Sequence, residues 1–152
     1  MVLLVIIRSQ FPARASSIRK LPPSSLRFGL IGEWRYLAVV LDLFSRKVIG
    51  WALGKRKSVR LTIKALRRAV KRRGRHPGLI FHSDRGIEYG AFEYRELLDT
   101  FGIQQSMNRI GVMNDNVHIE SFFHQFKTER AKTKEFTSDW TLRRMIQLYM
   151  KW

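Results

Sequence analysis

The chain has 152 residues, of which 45% are hydrophobic, so it is long enough to bury the core of one domain and too apolar for a disordered polypeptide. Its 29 Lys and Arg residues against 12 Asp and Glu residues give a net charge of +17, which favours a polyanionic partner such as nucleic acid. No apolar run approaches the ~18 residues of a membrane span, and the absence of cysteine excludes disulfides and fits a reducing cytoplasm.

The first 32 residues divide into a short apolar start and a basic segment. Met1–Ile7 is apolar but has no basic residue ahead of it, so it does not match a secretory signal peptide. Residues 8–32 carry five Lys and Arg residues, three prolines and no acid, which is typical of a flexible arm. We therefore predict a basic, flexible arm over residues 1–32 and a separate domain over 33–152, with one short strand at about 26–31.

Two strands are predicted next, at 36–43 and 47–53, because both segments are apolar and rich in β-branched residues. Only three residues join them, which requires an antiparallel turn. The near-continuous apolarity of the first predicts a strand that is buried on both faces. Asp42 ends that strand, where it is either a metal ligand or an acceptor for the backbone N–H groups of the turn; the second role is the usual one and is favoured.

Lys55–Arg75 is the most basic stretch, with eleven positive charges and no acid. Apolar residues at helical spacing between Ser58 and Gly74 predict an amphipathic helix with a stripe of Val59, Ile63, Leu66 and Val70. So many unbalanced charges repel one another unless a polyanion lies nearby, so DNA phosphate contact is preferred over a merely solvated face. The predicted DNA contacts on this helix are Arg67, Arg68, Lys71 and Arg72.

Two carboxylates end or begin predicted elements further along the chain. Asp84 follows a short strand at 79–83 and stands in a turn with Arg85 and Gly86, where Gly86 is able to take a positive φ. Glu120 lies early on an amphipathic helix that starts at Val117, and thirty-five residues separate it from Asp84. Two such carboxylates are what Mg²⁺ needs together with waters and phosphate oxygens, although ordinary surface acids are the alternative.

The remaining elements frame this pair. We predict a helix at 91–101 with Phe92 among its apolar contacts, a strand at 103–107 and a loop at 109–116. A last helix is predicted within 137–152, because this segment begins with a capping signal. Lys127 follows Glu120 by seven residues, which places both on one face of the helix, about 10 Å apart. Ile119, Phe122, Phe123 and Phe126 fall on the other side and are expected to pack on the sheet.

Three segments, YLAVVLDLFSRKVIGW, HSDRGIEYG and NDNVHIESFFHQFKTER, resemble the integrase-core transposases of bacterial insertion sequences, which are relatives of retroviral integrases. The resemblance covers about residues 33–152. It implies an α/β fold, a ribonuclease-H-like mixed sheet flanked by helices. It also implies a role in DNA integration and transposition by metal-dependent phosphoryl transfer, in which 3′-end cleavage precedes strand transfer.

The resemblance assigns roles to particular residues. Asp84 and Glu120 match the second and third of three acids that hold Mg²⁺ or Mn²⁺, and Lys127 matches a basic residue near the DNA. Arg85 either contacts phosphate or pairs with an acid. The first acid has no match, because its expected window is about residues 24–27 and no acid occurs before Glu33.

The partners implied are transposon ends and target DNA, together with an oligomer of this chain or a mixed oligomer with a full-length transposase. No membrane is expected, and the location implied is the bacterial cytoplasm, in association with the nucleoid. The chain is expected to be a core clipped at its C-terminus. Because the first acid is missing, activity stays open, and a catalytically inactive DNA-binding remnant is the main alternative. A basic RNA-associated protein is a third interpretation, from charge alone.

Overall fold

The computed structural model describes residues 2–8, 27–30, 33–75, 78–107, 117–126, 128–129, 136 and 138–150, and only the backbone of 2–8, 27–30, 33–34 and 117–120. Within these ranges six strands form one sheet. The strands are β1 (Val2–Arg8), β2 (Arg27–Leu30), β3 (Glu33–Asp42), β4 (Lys47–Gly54), β5 (Leu79–Ser83) and β6 (Gln104–Met107). The helices are α1 (Val59–Arg73), α2 (Ile87–Gly90), α3 (Phe92–Thr100), α4 (Val117–Phe126) and α5 (Asp139–Tyr149).

Strand β3 organises the sheet. On one side it pairs antiparallel with β4, from Tyr36 opposite Gly54 to Asp42 opposite Lys47. Two shorter strands share its other side: β2 pairs antiparallel with residues 33–36, and β1 pairs parallel with residues 38–42. Strand β5 follows antiparallel to β1, and β6 lies parallel to β5. The sheet is therefore mixed, with β4 at one edge and β6 at the other among the described strands.

The side chains of β3 alternate between two hydrophobic cores. Ala38 and Val40 belong to a core formed with α1, α2, α3 and β5. Leu37, Val39 and Leu41 belong to a second core, formed with α4 and α5. All five are buried, so the prediction of a strand buried on both faces is confirmed. Because helices cover both faces of the sheet, the predicted α/β arrangement is also confirmed.

The four strands predicted within residues 36–107 are observed with ends shifted by at most three residues, and the short strand predicted at 26–31 is observed as β2. Strand β1 was not predicted. Its sequence, VLLVIIR, is too short for a signal peptide but is the apolar, β-branched run that suits the interior of a sheet. Residues 9–26 and 31–32 lie outside the described residues, so the flexible arm and its boundary at residue 33 stay predictions.

Helix α1 begins after Ser58 and ends at Gly74, as predicted, but its buried face differs from the predicted stripe. The buried residues are Leu61, Thr62, Ala65, Leu66 and Ala69, whereas Val59, Ile63 and Val70 are only partly buried. The reason is a close approach between α1 and β4 at Gly50. A Cβ on Gly50 would collide with the Ala65 carbonyl oxygen and lie 2.7 Å from the Ala69 backbone nitrogen. At Gly50 the contact is therefore made by the small residues Ala65 and Ala69, while Leu61 and Leu66 complete the buried face.

Two other helix predictions need adjustment. The single helix predicted at 91–101 is observed as α2 and α3, which Ala91 separates in extended conformation. Phe92 is 75% exposed and not packed in the core, because it is the first residue of α3 and faces away from the sheet. Helix α5 has the predicted capping signal, since Ser138 Oγ accepts a hydrogen bond from the Thr141 backbone N–H at 3.2 Å. None of the helices in the described part of the chain has the length and apolarity to cross a membrane.

The close approach at Gly50 leads to a testable prediction. The substitution Gly50→Ala should lower the free energy of unfolding by about 1–3 kcal/mol, because overpacking forces α1 away from β4. Urea denaturation followed by circular dichroism measures this change. Gly90→Ala is the matched control, since no heavy atom lies within 4 Å of a Cβ at that position. Equal stability of the two variants would show that α1 and β4 are not in close contact.

Candidate active site

Asp84 stands where a buried strand ends. Residues 81–83 of β5 are buried, and Asp84, directly after them, is half-buried. Its Oδ1 accepts a hydrogen bond from the Gly86 backbone N–H at 3.0 Å, which fixes the carboxylate against the turn. In the described part of the chain Oδ2 of Asp84 accepts no hydrogen bond. The side chain thus presents one constrained and one available oxygen.

Glu88 is a second carboxylate at this corner, and sequence reasoning did not single it out. It is only 3% exposed, although it lies on the short helix α2 at the protein surface. Lys57 Nζ lies 3.1 Å from its Oε1. That oxygen is buried and has no hydrogen bond of acceptable geometry to any described residue. An acid two residues beyond a turn normally indicates solvent exposure, so the sequence carried no signal of this burial.

Gly86 separates the two carboxylates. A Cβ on Gly86 would lie 2.9 Å from Glu88 Oε1 and 3.0 Å from Asp84 Oδ1. The backbone has φ −57° and ψ 139°, so the expected positive φ is absent. A side chain at this position would enter the gap that both carboxylates face, so Gly86 keeps that gap open.

The electrostatics of the corner follow from burial and from this neighbour. Burial raises the pKa of the Asp84 carboxyl above its ordinary value. The Gly86 N–H opposes this change, the negative charge of Glu88 adds to it, and the positive charge of Lys57 reduces it. A cation placed between the two carboxylates would therefore be stabilised.

Aromatic side chains support the corner from the core. Phe81, Tyr89 and Tyr94 form a cluster with ring centroids 5.5–6.3 Å apart, a spacing typical of favourable aromatic pairs. All three are fully buried, and burial raises the pKa of Tyr94 well above its ordinary range. Tyr89 follows Glu88 directly, so its packing anchors α2. His82 is also buried, with Nδ1 3.0 Å from Ser106 Oγ, which favours a packing role.

Among the other predicted site residues, the structure describes some completely, some only in their backbone and some not at all. Glu120 lies in the first turn of α4, as predicted, but its side chain is not described. Lys127 and the loop predicted at 109–116 lie outside the described residues. Arg85 is exposed beside Asp84 and has an interaction partner. The packing of α4 is confirmed for Phe123 and Phe126, which are fully buried in the second core.

The arginines of α1 fall into two groups. Arg68 donates a hydrogen bond to the Trp51 carbonyl at 2.7 Å, with its guanidinium 5.7 Å from the Trp51 ring centroid. Arg72 donates to the Val48 carbonyl at 3.3 Å. Both therefore bind backbone of the edge strand β4. Arg67 and Lys71 are exposed and, within the described residues, make no ion pair or hydrogen bond.

Asp42 has the structural role that was favoured. Its Oδ1 accepts from the Phe44 backbone N–H at 3.0 Å, and its Oδ2 accepts from Ser45 Oγ at 2.8 Å. Arg73 Nη2 lies 2.7 Å from the same Oδ2. Both oxygens of Asp42 are thus occupied by the turn and by α1.

The donor set at the corner suits a hard divalent cation. No group of three or more His, Cys, Asp or Glu side chains is close enough to hold a metal among the described residues. Mg²⁺ is commonly held by one or two carboxylates with waters completing its shell. Asp84, the buried Glu88 Oε1, which has Lys57 as its ion partner but no further hydrogen bond from a described residue, and the gap at Gly86 fit that pattern.

Comparison with known proteins gives consistent results. The family model described as integrase core domain matches residues 25–112, over half of the chain. The chain is 39% identical over 118 residues to the transposase InsF for insertion sequence IS3A of Escherichia coli K12, covering 78% of this chain and 41% of that protein. It is 37% identical over 105 residues to an uncharacterised 31 kDa protein of insertion element IS600 from Shigella sonnei, covering 69% of this chain and 39% of that protein. The chain thus spans about two fifths of the length of these curated relatives.

Solved structures resemble the fold. The intasome of simian T-cell lymphotropic virus, in complex with PP2A regulatory subunit B56 gamma, aligns with a TM-score of 0.67 at 16% identity, covering 95% of this chain and 46% of that one. The HTLV-2 integrase catalytic core domain in complex with magnesium, in a dimeric form, aligns with a TM-score of 0.55 at 15% identity, covering 98% and 82%. The predicted ribonuclease-H-like fold is thereby confirmed.

The raised pKa of Asp84 predicts a pH-dependent cost to stability. The Asp84 carboxyl has a higher pKa in the folded state than in the unfolded state. Its protonated form therefore stabilises the fold fully below the unfolded pKa, and this stabilisation is lost as pH rises through the folded pKa. Asp84→Asn removes this loss and keeps an Oδ1 acceptor for Gly86. The variant should therefore be more stable than the parent at pH 7, and the difference should shrink towards pH 4.

Urea unfolding of both proteins across that pH range measures the effect. Asp99→Asn, at an exposed position of α3, is the control and should behave as the parent does. A difference for Asp84→Asn that is independent of pH would contradict the prediction.

Proposed function

We propose, since this chain belongs to the integrase core domain family, that it acts as the catalytic core of an insertion-sequence transposase. Its reaction would be metal-dependent phosphoryl transfer on DNA, with cleavage at a 3′ end followed by strand transfer. The single observation that carries the proposal is the Asp84 corner, a half-buried carboxylate held by the Gly86 N–H at the end of a buried strand. Thirty-five residues separate Asp84 from Glu120, which lies in the first turn of α4, the second element of the proposed site.

Asp84 and Glu120 would hold Mg²⁺ or Mn²⁺. When bound, the metal would supply charge stabilisation for the attacking and leaving oxygens. The protein contributes positioning: the Gly86 N–H orients Asp84, and the buried aromatic cluster of Phe81, Tyr89 and Tyr94 keeps the corner rigid. Phe123 and Phe126 anchor α4, and with it Glu120, to the sheet.

The basic surface would bind the DNA. Arg67 and Lys71 support this role best, because they are exposed and unpaired among the described residues. Arg68 and Arg72 each hold a β4 carbonyl, yet an arginine has five N–H donors, so contact with phosphate remains compatible with that role. We assign Arg85 and Lys127 to DNA contacts nearer the metal. The DNA substrates would be transposon ends and target, in the bacterial cytoplasm at the nucleoid.

Assembly into oligomers is part of the proposal. The HTLV-2 core has been solved in dimeric and trimeric forms, and the simian virus protein in an intasome. For this chain we propose either a homo-oligomer or a mixed oligomer with full-length transposase. Because the chain spans about two fifths of its curated relatives, a longer subunit would provide surfaces that this core lacks.

An inactive DNA-binding core is the alternative, and one observation bears on it. Strand β5 pairs with β1 and β6, and neither of these strands contains an acid, so no first carboxylate stands beside Asp84 on either of them. The comparisons do not favour inactivity, since the matched relatives include transposases at 39% identity.

The activity prediction separates these alternatives. Asp84→Asn should lower the rate of 3′-end cleavage and strand transfer at least ~100-fold, because metal charge stabilisation is worth several kcal/mol. The assay uses duplexes with insertion-sequence ends and either Mg²⁺ or Mn²⁺. Asp99→Asn should retain the parent rate. A parent protein that binds these duplexes but cleaves none of them with either metal would support the inactive core.

The exposed Arg67 on α1 leads to a prediction about the salt dependence of DNA binding. Arg67→Ala should reduce the slope of log affinity against log salt by about 0.9, the value for one lost phosphate contact, without changing stability. Fluorescence anisotropy with a labelled duplex at several salt concentrations measures the slope. Arg143→Ala is the matched control, an exposed arginine on α5, which packs on the opposite face of the sheet. Equal slopes for the two variants would exclude α1 from the DNA interface.

A further inference from the structure

We propose that Glu88 is an additional metal-binding carboxylate, and that Lys57 is an internal counter-ion that the divalent cation displaces. The inference rests on the proposed function for the presence of a metal at Asp84. It adds a residue that the Asp84 and Glu120 pair does not include. The number of carboxylates proposed for the site rises from two to three.

The first argument is the burial of Glu88. A carboxylate that is 3% exposed is costly unless it is paired or hydrogen-bonded. Its ion pair is with Lys57, and no hydrogen bond from a described residue satisfies Oε1. A structural buried carboxylate normally has several donors around it, so Glu88 is under-satisfied in this state. A divalent cation would satisfy it, since the cation brings two positive charges and ordered water.

The carboxylates of Asp84 and Glu88 approach one common point beside Gly86. One point beside Gly86 lies 2.9 Å from Glu88 Oε1 and 3.0 Å from Asp84 Oδ1, so these two oxygens are at most about 5.9 Å apart. Mg²⁺ binds oxygens at 2.0–2.1 Å and therefore bridges oxygens up to roughly 4.2 Å apart. A side-chain rotation of Glu88 covers the difference. The absence of a Cβ at Gly86 leaves this gap open.

Lys57 reaches Glu88 from a partly exposed position. It lies in the connection between β4 and α1, and its side chain is 42% exposed, in contrast to the 3% of its partner. A lysine that reaches a buried carboxylate from the surface is able to return to solvent at little cost. The positive charge beside Glu88 is therefore replaceable, whereas the backbone that carries Glu88 is anchored by the buried ring of Tyr89.

The experiment measures Mn²⁺ binding without DNA, by isothermal titration calorimetry on the full chain. Glu88→Gln keeps the shape of the side chain and removes its charge. Because the loss of a partner of a metal ligand already costs 10–100-fold in affinity, the loss of a ligand should weaken Mn²⁺ binding at least about tenfold. Glu93→Gln, an exposed acid on α3, is the matched control and should bind as the parent does.

Lys57→Met provides an independent test that keeps Glu88. Removal of the competing cation should tighten Mn²⁺ binding, and it should lower the melting temperature without metal, because Glu88 loses its ion partner. Added Mn²⁺ should then raise the melting temperature by more than it does in the parent. If Glu88→Gln fails to fold, this variant decides: unchanged affinity would overturn the proposal.

The outcomes separate the two proposals. Parent-like Mn²⁺ affinity in Glu88→Gln with weakened affinity in Asp84→Asn would reduce Glu88 to a structural ion pair and leave the proposed function intact. Parent-like affinity in both variants would place the metal elsewhere, and the proposed function would fail together with this inference.

Discussion

The rest of the structure depends on the burial of β3 on both faces. Ala38 and Val40 hold the layer of α1, α2 and α3, and Leu37, Val39 and Leu41 hold the layer of α4 and α5. The Asp84 corner belongs to the first layer and Glu120 to the second. Since both layers pack on one strand, the distance between the two proposed metal-binding elements is set by hydrophobic packing. The proposed chemistry would therefore rest on the apolar, fully covered part of β3 from Leu37 to Leu41.

The positive charge of the chain has two physical roles, which its total does not distinguish. An edge strand exposes unpaired backbone groups, which are an aggregation liability. Arg68 and Arg72 cover two carbonyls of β4, and Arg73 binds Asp42 at the turn that begins it. These three arginines stabilise the edge of the fold. Arg67 and Lys71 lie on the same helix but project into solvent, where positive charge has no structural use among the described residues. The proposed DNA binding is thus better assigned to individual side chains than to the net charge.

The sequence predicted the features that depend on local pattern. The apolar runs of β3 and β4, the end of α1 at Gly74 and the cap at Ser138 all follow from residues close together in the chain. Features that depend on tertiary contact were missed or assigned another cause. Gly86 was noted for its ability to take a positive φ, whereas its φ is −57° and its lack of a side chain keeps open the gap between two carboxylates. The buried face of α1 is set by its close contact with Gly50 of β4. Phe92 is exposed because Ala91 separates α2 from α3, which makes Phe92 the first residue of α3. Each case was decided by a neighbour that the local sequence does not reveal.

Glu88 is a buried acid whose position is explained neither by local sequence pattern nor by stability. Burial of an acid with one lysine partner costs stability, and replacing such pairs by apolar residues is often neutral or stabilising. A site selected for stability alone would therefore not be expected to retain a carboxylate with an unsatisfied oxygen beside the half-buried Asp84. Retention makes physical sense where a stronger cation replaces the lysine, because the energy lost without metal is then recovered on binding. In the proposed site, Lys57 would compensate the charge of Glu88 in the metal-free fold, and the divalent cation would replace it on binding. The same reasoning explains why the available oxygen of Asp84, the gap at Gly86 and the buried Oε1 of Glu88 occur at one corner.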